Sequence, residues 1–315
     1  MDVTQNAKLI FEQYQVRKTR AQKTAFLECM RELYPQAKVE EGGLLHNRNL
    51  VIGDVETAEV VLTAHYDTCA QLPFPNFITP KNIPLYLLYS IGICIPFIAI
   101  GIAVWWLVGH VTDAFLPNYL GFMLGVLVPM IAVFMLGPAN PHTANDNTSG
   151  VLTLIEAYEA MTAEERGRVA LVFFDNEENG LLGSMRFAKV HKKQMKHKLL
   201  INFDCVSDGD ELMLVMDKKA KAYEARLRAA FQPVEGKRVH FFDSSSTLYP
   251  SDQANFPCGV GVAALKRKKG VGFYMNRIHT KKDTVLDERN IDCLARGVRR
   301  YITPENNATE DGKHE

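Results

Sequence analysis

Val169-Ala170-Leu171-Val172-Phe173-Phe174-Asp175-Asn176-Glu177-Glu178-Asn179-Gly180-Leu181-Leu182-Gly183-Ser184 is the stretch on which the fold turns. The apolar run Val169 to Phe174 reads as a buried strand, and the polar residues after it as the loop at its carboxyl end. Leu181 to Lys192 then reads as a helix. Adjacent carboxylates repel, so Glu177 and Glu178 are either solvated or compensated by a cation.

Strand and helix alternate on both sides of this stretch. Downstream, Leu199 to Phe203 is a second buried strand, ending at Asp204, and strands are predicted near 211–216, 238–242 and 259–265. Helices are predicted near 218–231 and 287–301. Upstream, Asp146-Asn147-Thr148-Ser149-Gly150 opens a helix over Ser149 to Met161, and a run over 58–64 delivers His65-Tyr66-Asp67 at its end. Shorter runs near 37–41 and 44–52 precede it, after one or two amphipathic helices in residues 5–33. The pattern predicts an α/β fold, a mixed, largely doubly wound sheet flanked by helices.

Of the 315 residues, 47% are apolar and 23% charged, enough for a full core, and the formal net charge is zero. No global field favours nucleic acid, and the basic runs lack interleaved aromatics for stacking bases. Cysteines 29, 69, 94, 205, 258 and 293 have no paired spacing, so they read as reduced thiols rather than a disulfide framework. The first residues show no basic start followed by an apolar core, which argues against a cleaved secretory signal. Residues 304–315 are polar and read as a disordered tail.

Between Asn82 and Asn145 the only formal charge is Asp113. Pro84–Val108 and Phe115–Gly137 are each long enough to cross about 30 Å of hydrocarbon. A transmembrane hairpin over 84–137 is therefore expected inside one domain formed by 1–81 and 138–303. Two buried helices of a soluble core are the alternative, but one ordinary core has little left to cover helices apolar all round. Tyr86, Tyr89, Trp105 and Trp106 sit where interfacial aromatics belong, Gly121 and Gly125 permit close packing, and Pro96 and Pro129 are candidate kinks. The loop Gly109–Ala114 carries no Lys or Arg, whereas Lys81 and many basic residues lie on the other side. This predicts a multi-pass protein of the cell membrane with its main domain in the cytoplasm. Lys266-Arg267-Lys268-Lys269 is either a solvated loop or a contact for anionic lipid.

Singly, each polar motif has a bland reading. Asp146 suits a helix N-cap, Asp204 an ordinary loop, and His65-x-Asp67 is short enough to be incidental. Together, His65, Asp146, Glu177, Glu178, Asp204 and His279 each fall at a strand or helix end, where sites on such sheets collect. They also supply what a two-metal hydrolase needs: imidazole and carboxylate ligands, a bridging carboxylate, and a further carboxylate to accept a water's proton.

The ordered set His65-Tyr66-Asp67-Thr68, Asp146-Asn147-Thr148-Ser149-Gly150, Phe174-Asp175-Asn176-Glu177-Glu178-Asn179-Gly180-Leu181-Leu182-Gly183-Ser184, Asn202-Phe203-Asp204 and Ile278-His279-Thr280-x-x-Asp283-Thr284 resembles the M28 family of zinc exopeptidases, over about 58–68 and 140–302. The resemblance implies two zinc ions per chain. His65 and Asp204 would hold one, Glu178 and His279 the other, and Asp146 would bridge them. Glu177 would be the general base, Asp67 a support for His65, and Tyr249 a group that steadies the oxyanion. Two departures stand out: the long gap from His65 to Asp146, filled by the hairpin, and Gln253, where relatives often carry His.

The expected activity is aminopeptidase action on peptides. Glutaminyl cyclisation, carboxypeptidase chemistry and a non-enzymatic membrane scaffold are the alternatives. Because the insert joins two ligand-bearing loops, the site is expected near the bilayer surface, within reach of a peptide bound to, or released at, the membrane. Sequence leaves the oligomeric state open.

Overall fold

The computed structural model describes residues 4–43 and 45–303; the predicted disordered tail lies outside the described residues. Helices α1 (Gln5–Gln13) and α2 (Arg20–Leu33) lead into strands β1 (Lys38–Gly42), β2 (Asn47–Ile52) and β3 (Val60–His65). Two long helices follow, α3 (Ile83–Gly109) and α4 (Phe115–Phe134). The chain continues through α5 (Gly150–Glu159), α6 (Ala163–Gly167), β4 (Val169–Phe174), α7 (Leu182–Val190), β5 (Leu199–Phe203) and β6 (Glu211–Met216). It ends with α8 (Glu224–Ala230), β7 (Arg238–Asp243), β8 (Gly259–Lys268), β9 (Gly272–Tyr274) and α9 (Glu288–Ile302). Thr4 and Thr19 accept from Ala7 N and Gln22 N, and these caps divide the N-terminal segment into two helices.

The strands form one mixed sheet in the order β1-β2-β4-β3-β5-β8-β6-β7, with β9 paired to β8. Its centre, β4-β3-β5-β8, is parallel, and the β1-β2, β2-β4 and β6-β8 pairs are antiparallel. Central strands are buried on both faces, which explains why β4 and β5 are continuously apolar rather than alternating. Along β4, Val169, Leu171 and Phe173 pack with residues of α1, α2, α5 and α9, whereas Ala170, Val172 and Phe174 pack with Phe187 of α7. The two faces are thus covered by helices that leave the sheet on opposite sides. The carboxyl ends of β3, β4 and β5 form one edge, where the chain breaks into loops at Tyr66, Asp175 and Asp204.

Helices α3 and α4 pack on each other and continue through Pro96 and Pro129. A side-chain carbon added to Gly125 would lie 2.9 Å from Gly101 Cα, so Gly101 is the partner of the Gly121-x-x-x-Gly125 face. Both helices are long and apolar enough to cross a membrane, and only 11% and 17% of their most apolar windows are buried. Leu88, Ile91, Ile95, Trp106, Leu120 and Leu124 are exposed. The described residues therefore do not supply the cover that a soluble core pair would need. At the root of this hairpin the entering and leaving strands are tied together: Gln71 N donates to Pro138 O at 2.8 Å and Asn140 N to Cys69 O at 3.2 Å.

Candidate metal centre

Each polar motif reaches the sheet edge for a local reason. His65 is the last residue of β3, Glu177 and Glu178 lie in the loop after β4, and Asp204 follows β5 directly. Asp146 sits in an irregular turn, Ala144–Ser149, that feeds α5. Its neighbour Asn147 binds that turn to the Asp204 loop, donating to Phe203 O at 2.9 Å and accepting from Cys205 N at 3.1 Å. Gly150 permits the close approach, because a Cβ there would fall 2.2 Å from Phe203 O. The backbones of Asn176, Cys205 and His279 hold positive φ of 56°, 56° and 58°. Such left-handed conformations in residues with side chains collect at functional sites.

These elements bring all six candidate residues together. His65 Nε2 lies 3.3 Å from Asp146 Oδ1, 3.5 Å from Asp204 Oδ1 and 4.0 Å from Glu177 Oε2. His279 Nε2 lies 2.9 Å from Asp146 Oδ2 and 3.3 Å from Glu178 Oε2. The two Asp146 oxygens therefore face different imidazoles, one on each side. Three groups have donor atoms that all lie within 4.8 Å of one another: His65 with Asp146 and Asp204, Glu178 and His279 with Cys69, and His65 with Glu177 and Glu178.

Asp67 and Tyr249 both lie beside these residues. The nearest partner of His65 Nδ1 is the Asp67 main-chain carbonyl, at 3.1 Å, while the Asp67 carboxylate is 3.6 Å away. That carboxylate also accepts Glu177 N at 3.0 Å and Glu178 N at 3.2 Å. The Tyr249 hydroxyl donates to the Asp204 carbonyl at 2.8 Å, which ties it to the Asp204 loop.

Sequence reasoning left several site residues without a role. Asp283 accepts Asn145 N at 2.9 Å and Asp146 N at 3.0 Å, fixing the turn that carries Asp146. Ser251 donates to Asp204 Oδ2 at 2.6 Å. Gln253, at the departure noted above, is buried and packs against Gly261 while donating to Tyr249 O at 2.8 Å. Asp252 is fully buried with both carboxylate oxygens unpartnered. Asp283 was visible in its motif; Cys69 and Asp252 carry no signal of their own, because their neighbours are distant in sequence.

Burial pushes the Glu177 carboxyl well above the ordinary range and that of Glu178 to about 8. Burial also raises Asp252 and Asp283 to about 7. Burial alone would lower both histidines, but carboxylates outweigh it: Glu177, Asp146 and Asp204 raise His65, and Glu178 with Asp146 raises His279 to about 9. Asp204 Oδ1 and Glu178 Oε1 are buried without any hydrogen-bond partner. A crowd of buried carboxylates with orphaned oxygens and two imidazoles is a poor arrangement for a protein alone and a good one for divalent cations, which favour the charged form of each ligand. The oxygen and nitrogen donor set suits zinc.

A family model described as peptidase family M28 matches residues 128–302. No curated protein matches the chain. Among solved structures, the fold resembles the Porphyromonas gingivalis glutaminyl cyclase (TM-score 0.54, 17% identity, 94% of this chain and 96% of that one). It also resembles a Zn-dependent exopeptidase from Parabacteroides distasonis (0.54, 14%, 94% and 96%) and the Legionella pneumophila LapA aminopeptidase (0.51, 14%, 95% and 69%). At such identities the likeness concerns the fold.

Proposed function

Since this chain belongs to peptidase family M28, we propose that it is a di-zinc exopeptidase that releases N-terminal residues from peptides and is anchored in the membrane by α3 and α4. The observation that carries the reading is the placement of Asp146 between His65 and His279, with Glu177 Oε2 farther from His65 Nε2, at 4.0 Å, than the Asp146 and Asp204 oxygens are. His65 and Asp204 would hold one ion, Glu178 and His279 the other, and Asp146 both. Bound zinc would acidify a water and polarise the scissile carbonyl.

The remaining work falls to the protein. Glu177, kept basic by burial and aimed by the Asp67 carboxylate, takes the proton of the attacking water and returns it to the departing amine. Asp283 and Asn147 keep the Asp146 turn in register with the Asp204 loop, so the reacting groups stay within the narrow tolerance that hydrolysis requires.

Residues 1–81 and 138–303 would form one peptidase domain, interrupted by the hairpin 84–137. The loop Gly109–Ala114, free of Lys and Arg, supports a cytoplasmic position for this domain in a protein of the cell membrane. Cys69, Gln71 and Leu72 connect the hairpin root to the site, and Leu72 N donates to His279 O at 2.7 Å. Peptides bound at the membrane are therefore within reach.

The same metal ligands would serve a glutaminyl cyclase, which is why the structural likeness to one matters. Peptides with a free N-terminus, a blocked N-terminus and an N-terminal glutamine, incubated with detergent-purified protein, separate the readings. Loss of the first residue from free N-termini alone supports aminopeptidase action. Pyroglutamate formation without hydrolysis would replace it with cyclisation.

A further inference from the structure

We infer that the turn joining β8 to β9 is a docking surface for an anionic bilayer, with Lys268 and Lys269 meeting acidic lipid headgroups beside the hairpin root. The inference rests on the proposed membrane insertion of α3 and α4 and adds a lipid preference to it.

The turn is fastened to the point where the chain enters α3. Asn82 caps that helix by accepting from Leu85 N at 3.3 Å, and its Nδ2 donates to Val271 O, in the turn, at 3.1 Å. Phe77 touches both Tyr89 of α3 (ring centroids 5.5 Å apart) and Tyr274 of β9 (5.9 Å). Ile78 and Met275 pair as an isolated bridge beside them. From Ile83 onward α3 carries no charge to its end at Gly109, so the hydrocarbon boundary falls at its root. A turn hydrogen-bonded to that root lies at headgroup depth.

Charge at the turn is unbalanced. Lys266 is paired with Asp208 at 2.6 Å, and Arg267 lies over the Phe273 ring at 5.3 Å. Lys268 and Lys269 are exposed and form no ion pair among the described residues. Asp210 and Glu211, the acids lining the same concave surface, are already engaged by Lys237 and by Arg238 and His240. What remains is a pair of exposed cations at the interface, where acidic lipids attract them over about 10 Å at 0.1 M salt.

The test uses the intact protein in vesicles of neutral phosphatidylcholine, with or without phosphatidylserine, exposed to a membrane-impermeant amine-reactive reagent. Modification of Lys268 and Lys269 is read by mass spectrometry against Lys192 and Lys193, on the same domain. The expected result is several-fold protection of Lys268 and Lys269 in acidic vesicles only, abolished by high salt, with Lys192 and Lys193 unchanged. Equal modification in both vesicles, from protein that co-floats with them and resists carbonate, would overturn the lipid contact and leave the anchor intact. Failure to co-float would overturn the anchor, and the inference with it.

Discussion

The Asp67 carboxylate accepts the backbone N–H of Glu177 at 3.0 Å through one oxygen and that of Glu178 at 3.2 Å through the other. One side chain on the His65 loop thereby aims both the proposed base and a proposed ligand on the next strand's loop. Asp67→Asn removes one of the two acceptors while keeping the shape. We predict that kcat falls roughly 10–100-fold, as is common when a partner behind a metal ligand is lost. Steady-state kinetics with parallel zinc analysis checks this, and an unchanged kcat would contradict it.

Asp146 faces both imidazoles, whereas His279 faces only one of the proposed ions. Asp146→Ala should therefore purify with almost no zinc. His279→Ala should keep about one of the two ions. Elemental analysis of purified variants distinguishes this order of loss from an equal loss in both, which would mean that Asp146 is not shared.

Metal uptake should be strongly pH-dependent. His279 and Glu178 hold protons up to about 9 and about 8, and a ligand must lose its proton to bind a cation. Both shifts have the same sign: affinity rises as pH climbs from 6 toward 9, with proton release on binding. Competition titrations against a chelator at several pH values measure it, and a flat profile would contradict the coupling.

Arg17 is fully buried beneath the site. Its guanidinium donates to the Tyr14 and Tyr66 carbonyls and, at 3.2 Å, to Thr148 Oγ1, so the N-terminal segment clamps the His65 loop to the Asp146 turn. Arg17→Met should cost about 3 kcal/mol, because it strands buried acceptors. Denaturant unfolding in detergent reads this directly, and a loss below about 1 kcal/mol would show that the clamp is dispensable.

Much of this architecture was legible in the chain. The β4 and β5 boundaries follow from apolar runs that end at polar residues, since a strand buried on both faces tolerates nothing else. Strand β9 and helix α6, of three and five residues, are too short for periodicity to reveal. Motif residues converge at the sheet edge because strand ends mark the place. The supporting residues could not be read, since Arg17 meets Thr148, and Cys69 meets Glu178 and His279, only through the tertiary fold. Spacing set the Asp67 carboxylate beside His65, at 3.6 Å, but could not show that it also accepts from the Glu177 and Glu178 backbones.

In the proposed mechanism Glu177 moves the proton while other residues hold the metal. The direct measurement is hydrolysis of aminoacyl fluorogenic substrates by detergent-purified wild type and Glu177→Gln, with zinc determined in the same samples. About two zinc ions per chain are expected in both proteins, with turnover in the wild type alone. Full activity in Glu177→Gln, or loss of zinc from it, would contradict that division of labour.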